Sequence, residues 1–217
     1  MKKYIAEFVG TFALVFCGTG AIIINQQTGG QVSNVGIAIT FGLIITAMIY
    51  TFGETSGAHF NPAVTLGFYA AGLFKAKEIF PFIASQVVGA FAASGLLKLL
   101  FPESLNLGTT LPAGSPMQSF ILECVLGFFL MIVILFTSQG SKETGVMAGI
   151  AIGATILLEA MFAGPISGAS MNPVRSLAPA IVSGNLTSLW VYLSAPIVGA
   201  IVATLAFRVI RGNKAEN

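Results

Sequence analysis

Six apolar runs, at about 4–24, 35–53, 79–101, 118–138, 146–163 and 188–210, dominate the chain. Each matches the roughly 20 residues that a helix needs to cross a hydrocarbon core. Helices that satisfy their own backbone hydrogen bonds are one of only two structures able to span lipid. Two shorter apolar stretches, about 61–71 and 172–182, are left over. At about 1.5 Å per residue each reaches roughly half of the core, so neither is a span. Charge content agrees with a lipid solvent: 8% of the 217 residues are charged, against about 25% in soluble domains. The fold class that follows is an all-α membrane protein with six transmembrane helices and two re-entrant half-helices.

The basic residues orient it. Lys2 and Lys3 precede the first run, Lys75 and Lys77 lie between the second and third, and Lys142 lies between the fourth and fifth. Arg208, Arg211 and Lys214 close the chain. With six spans all of these fall on one side, which is cytoplasmic by the positive-inside rule, so both termini are expected there. The opposite connections, 25–34 and 102–117, contain no Lys or Arg. Lys98, near the outer end of the third run, is placed to snorkel. The opening run contains Glu7 and lacks a small-x-small cleavage site, so it reads as a first helix and not a cleaved leader. The final "GNKAEN" reads as a disordered polar tail. Compact termini and a Lys-rich start point to a bacterial-type inner membrane as host.

Inside this apolar frame one polar phrase occurs twice, "SGAHFNPAV" at 56–64 and "SGASMNPVR" at 167–175. Glu7 precedes Asn61 by 54 residues, and Glu123 precedes Asn172 by 49. Each half reads as an early acid, a second span, S-G-A-x-x-N-P with a short helix, and a third span. Three spans is an odd number, so the second copy enters the membrane from the other face. The result is an inverted 3+3 repeat, common among transport proteins. The chain is expected to form a single channel domain over 1–217, with halves at about 1–103 and 117–211.

The phrase has a clear chemical reading. Asn can cap a helix whose first residue is Pro, because the missing N–H costs nothing there. Pro62 and Ala63, and Pro173 and Val174, thus open two half-helices. Irregular backbone at membrane depth must be buried in protein or line water. The two loops therefore meet near the middle, with two helix N-termini facing each other, each carrying about half a positive charge. The side-chain amides of Asn61 and Asn172 are expected to donate into a lumen, their carbonyl oxygens held by backbone. Water offers its oxygen to both, while cations and protons meet an adverse field. Arg175 follows the second Asn-Pro directly, and an ionisable residue at this depth is a functional candidate by default.

These residues resemble the major intrinsic protein family, the aquaporins and aquaglyceroporins. The likeness covers nearly the whole chain: Glu7 and Glu123, "SGAHFNPAVTLG", "SGASMNPVRSLAPA", the six spans and the charge pattern. It implies a right-handed bundle with a pore in every subunit and a homotetramer. The wording "FAGPISGASMNPVRSLAPAIV" is most similar to the nodulin-26-like branch and its bacterial relatives. There small neutral solutes such as glycerol, urea and metalloid acids often accompany water. The family's usual Asn-Pro-Ala is Asn-Pro-Val in the second copy, where Val174 is expected to pack away from the lumen.

Carried over from the family by distance from the two motifs, a narrow outer ring falls on Phe41, Ala160, Ala169 and Arg175. Strict water channels typically place a His opposite the Arg. Here that position is Ala160, and the only His is His59, which is expected to brace the inner loop. The ring should be wider and less polar than a water-only filter, although it lacks the second aromatic of dedicated glycerol facilitators. Family resemblance gives Glu7 and Glu123 the role of accepting hydrogen bonds from loop N–H groups.

The rest is quieter. Glu159 has no counterpart in the other half and adjoins Ala160. It is read as packing within the bundle, the other possibility being that it edges the pore. Gly149 with Gly153, and Gly89 with Ala93, give two small faces for close helix contact. Cys17 and Cys124 read as small core residues, with no metal or cofactor implied. The competing functions are a strict water channel and a secondary transporter coupled through Glu159. One His, no Asp and no nucleophile–base pair argue against an enzyme with a catalytic site. Short outward loops argue against an adhesion protein, and no basic face points to nucleic acid. The expected partners are water, small neutral solutes and the lipid bilayer.

Overall fold

The computed structural model describes residues 1–212; of the tail expected to be disordered, residues 213–217 lie outside the described part, Lys214 among them. Six long helices are long and apolar enough to cross a membrane: α1 Lys2–Gln27, α2 Ser33–Ser56, α4 Ala76–Leu100, α5 Pro116–Ser138, α7 Ala148–Ser167 and α9 Leu189–Arg211. Two short ones, α3 Pro62–Ala70 and α8 Pro173–Ser183, begin at the Asn-Pro pairs. A third, α6 Lys142–Val146, was not anticipated; the Ser141 hydroxyl caps it by accepting from the Thr144 N–H.

The ends of three spans differ from expectation, and the first of them, α1, runs on to Gln27. α2 runs on to Ser56, and α7 runs through Pro165 to Ser167. Proline removes the N–H that would donate to the carbonyl four residues back. That carbonyl belongs to Met161, and it accepts instead from Asn34 Nδ2 of α2 at 2.9 Å. A neighbouring helix thus supplies the bond that the proline removed, and the helix continues.

The two halves pack alike. α1 lies against α2 and α4, and α5 lies against α7 and α9. In the first half a Cβ on Gly89 would stand 2.4 Å from the Phe8 carbonyl oxygen; in the second, one on Gly199 would stand 2.2 Å from that of Cys124. The halves join along α2 and α7, where a Cβ on Gly42 would meet the Gly153 carbonyl at 2.6 Å. Small residues let backbones approach in lipid, where packing and not the hydrophobic effect drives association. Gly89 and Gly153 lie in such contacts, whereas Gly149 makes room for the Tyr50 ring. Cys17 and Cys124 are free and only partly buried, so they are not deep core residues.

The main apolar cluster sits where the half-helices converge and includes Leu14, Phe41, Phe60, Val64, Leu130 and Ile156. The outer faces carry exposed Leu43, Phe80, Val88, Phe129, Leu158 and Val202, as a lipid-facing surface should.

Candidate functional site

α2 and α7 each end on a glycine in the left-handed region, Gly57 at φ 86° and Gly168 at φ 84°. Ala58, Phe60, Ala169 and Met171 then adopt φ of 52°, 50°, 43° and 55°. The left-handed region costs a non-glycine residue about 1–2 kcal/mol, so both loops need a clamp. The clamp is a carboxyl. Glu7 Oε1 accepts from Ser56 Oγ at 2.7 Å and the His59 N–H at 3.0 Å. Its Oε2 accepts from the Phe60 N–H and from Gln86 Nε2, both at 2.8 Å. Glu123 repeats the pattern, accepting from Ser167 Oγ at 2.7 Å, the Ser170 N–H at 2.8 Å and the Met171 N–H at 2.9 Å. Both side chains are wholly buried, where such a group requires partners.

Each loop hands over to a half-helix through its Asn. Asn61 Oδ1 accepts from the Ala63 N–H at 2.8 Å. Asn172 Oδ1 accepts from the N–H groups of Val174 at 3.1 Å and Arg175 at 3.4 Å. The amide nitrogens do something the sequence did not announce. Asn61 Nδ2 donates to the Met171 carbonyl at 2.8 Å, and Asn172 Nδ2 donates to the Phe60 carbonyl at 2.9 Å. Each loop is thereby latched to the other. An amide nitrogen carries two hydrogens, so each Asn keeps one donor beyond the latch.

Arg175 is 1% exposed and its guanidinium carbon lies 5.1 Å from the centroid of the Phe41 ring. One nitrogen, NH1, donates to the Gly108 carbonyl at 2.9 Å, while Nε and NH2 have no partner among the described residues. Phe41 and Arg175 are thus brought together, and Ala160 and Ala169 lie buried in the same apolar cluster as Phe41. Val174 belongs to a different cluster, with Val15, Ala90, Ala93 and Ala178. Its extra methyl groups therefore meet α1 and α4.

His59 stacks on Phe68 with centroids 4.7 Å apart, and its Nδ1 lies 3.1 Å from Thr65 Oγ1. The Thr65 hydroxyl donates to the Asn61 carbonyl, which spends its one hydrogen and makes His59 Nδ1 the donor. Gln86 Nε2 bonds both Glu7 and Thr65. Thr110 and Ser170 likewise meet at the Ser176 hydroxyl, at 2.7 and 2.6 Å. Gln86, Thr65, Thr110 and Gly108 went unnoticed in the sequence because nothing in their spacing marks them. Glu159 is buried and neither of its oxygens has a partner among the described residues.

A cavity of about 1190 Å³ leads to this point from one side. Leu14, Ile45, Leu130, Ile134 and Ile152 wall it, Glu54 and Lys142 stand among its outer residues, and Asn61 and Asn172 line its inner end. An apolar-walled vestibule thus leads to the latched Asn pair.

The family model for the major intrinsic protein matches residues 1–207. The chain belongs to the major intrinsic protein family. Among curated relatives, Aquaporin NIP1-1 of Zea mays is 46% identical over 212 residues, covering 97% of this chain and 75% of that one. Nodulin-26 of Glycine max is 41% identical over 212 residues, covering 97% and 78%. Among solved structures, the aquaglyceroporin from Plasmodium falciparum superimposes with a TM-score of 0.88 at 27% identity, covering 96% of each chain. The nodulin-26-like resemblance and the six-span fold are both borne out. Membership makes this major intrinsic protein an integral membrane channel for water and small neutral solutes, and not an enzyme. The two curated relatives are plant proteins, which lends no support to the bacterial host membrane expected from the termini.

Proposed function

We propose that solutes pass the Asn61–Asn172 pair and then a ring formed by Phe41, Ala160, Ala169 and Arg175, and that this ring admits glycerol, urea and metalloid acids beside water. The observation that carries the reading is Arg175: a wholly buried guanidinium against an aromatic face, with two of its nitrogens unpartnered among the described residues. Fixed donors of this kind take the oxygen of a passing neutral solute, and the positive charge turns cations away. The two alanines leave the ring open on the remaining sides. The spare N–H of each Asn, set beside two helix N-termini, holds the solute oxygen at the next step and opposes protons. Glu7, Glu123 and His59 hold the loops that present these groups.

The whole chain, 1–217, acts as one channel unit made of two halves. Four such units assemble as a homotetramer, with both termini cytoplasmic. A bacterial-type inner membrane remains the proposed host, on the Lys-rich start alone. Stopped-flow light scattering on proteoliposomes tests the central reading, with an impermeant osmolyte in one experiment and glycerol in another. Fast water efflux with fast glycerol re-swelling is the expected result. Fast water with no glycerol entry makes this a strict water channel. Neither flux above that of empty liposomes sinks the open pore.

A further inference from the structure

The ring has a support that none of its four members supplies. Gly18 lies on the buried side of α1. A Cβ built there would stand 2.1 Å from Phe41 Cε1, 2.4 Å from Cζ and 2.6 Å from Cδ1. The Phe41 ring therefore occupies the space of the missing side chain. Ordinary carbon–carbon contact is about 3.5–4.0 Å, so any side chain at this position must drive the ring away by roughly 1.5 Å. The face of that same ring carries the Arg175 guanidinium. A glycine inside a helix costs about 1 kcal/mol relative to alanine, and here the accommodation of Phe41 gives it a reason. Gly10 does the same for Phe60, whose ring atoms would lie 2.0–2.4 Å from its Cβ and whose carbonyl receives the Asn172 latch. Gly20, one of α1's other glycines, has only Leu97 Cδ2 near it, at an ordinary 3.5 Å.

We propose that Gly18 is a positioning residue for solute selection: by leaving room on α1 it lets the Phe41 ring stand back, and so sets the width of the ring together with Ala160 and Ala169. This rests on the reading of Phe41 and Arg175 as the filter. Gly18 touches no solute and acts only through Phe41.

The test uses the glycerol-to-water permeability ratio of full-length protein in proteoliposomes, for Gly18→Ala, Phe41→Leu, their double variant and Gly20→Ala. A rise of about 1.5 Å in ring position takes up much of the room between glycerol and water, so Gly18→Ala should lower the ratio on the order of tenfold, with water flux changed less than about twofold. The double variant should return to the ratio of Phe41→Leu, and Gly20→Ala should match the parent. If Phe41→Leu shifts the ratio but Gly18→Ala does not, Gly18 has no such role and the filter reading stands. If neither shifts it, the filter reading falls and takes this proposal with it. Should Gly18→Ala give no folded protein, recovery in the double variant shows that Phe41 was the obstruction. A double variant that also fails to fold overturns the proposal, because the obstruction then lies elsewhere.

Discussion

Asn61 and Asn172 each reach across to the other's loop: Asn61 Nδ2 holds the Met171 carbonyl and Asn172 Nδ2 holds the Phe60 carbonyl. The meeting of the two half-helices is therefore bonded as well as packed. Asn172→Ala removes a helix cap worth about 1 kcal/mol and a buried hydrogen bond worth about as much. It also leaves the Phe60 carbonyl unpaired. We expect a loss of roughly 2 kcal/mol, or about 4–8 °C in the midpoint of thermal unfolding in detergent, together with slower water flux. An unchanged midpoint would show that the latch contributes nothing.

Glu7→Gln keeps shape and volume but turns one acceptor oxygen into a donor. Four donors converge on this carboxyl, so whichever way the amide turns, its N–H group meets the backbone N–H of His59 or of Phe60, and both hydrogens go unsatisfied. At about 1–3 kcal/mol for each unsatisfied buried group, the loss should be roughly 2–6 kcal/mol. Among the described residues, no other carboxyl holds the strained Ala58–Phe60 backbone. Thermal unfolding should show a larger drop than Asn172→Ala gives, and a smaller one would move the main support of the loop elsewhere.

The sequence was most legible where side-chain chemistry is tied to a fixed local geometry. Asn-Pro marked both half-helix starts to the residue, and the two early glutamates paired with loops 49 and 54 residues away. It was least legible where a backbone group is the partner. The Met171 and Phe60 carbonyls that receive the latches, and the Gly108 carbonyl that holds Arg175, carry no side-chain signature. The apolar run stops at about 163, yet α7 continues through Pro165 to Ser167 because the compensating Asn34 lies in another helix. Gly18 could not be told from other helix glycines without knowing that Phe41 leans on it.

Arg175→Ala removes the buried charge and three potential donor groups from the ring. Water should still pass, within about twofold, because the Asn pair is untouched. Protons and small cations lose one of the two positive fields that oppose them. A pH-sensitive dye inside potassium-loaded vesicles should report faster proton entry than with the parent. Vesicles as tight as before would leave ion exclusion to the helix N-termini alone.

Ala160→Phe fills the side of the ring that an alanine leaves open. A second aromatic beside Phe41 and Arg175 occupies space that a three-carbon polyol needs and a water does not. Glycerol entry should fall by on the order of tenfold, with water efflux falling less. Equal loss of both fluxes would mean that Ala160 sits outside the selecting ring and that the substitution simply blocks the pore.

Glu159 separates a channel from a coupled transporter. Its two oxygens are buried and take no hydrogen bond from any described residue, so nothing in the fold depends on the charged form. Coupling would require this carboxyl to bind and release a proton with every solute carried. A passive pore requires nothing of it. Glu159→Gln retains the shape and removes the titration, and no internal hydrogen bond is lost in the exchange. Water and glycerol fluxes should stay within about twofold of the parent and rise in proportion to the gradient without saturating, since a pore has no carrier step to limit it. Measured across a series of glycerol gradients, a parent flux that saturates and a variant that carries none would make Glu159 the coupling residue and this protein a carrier.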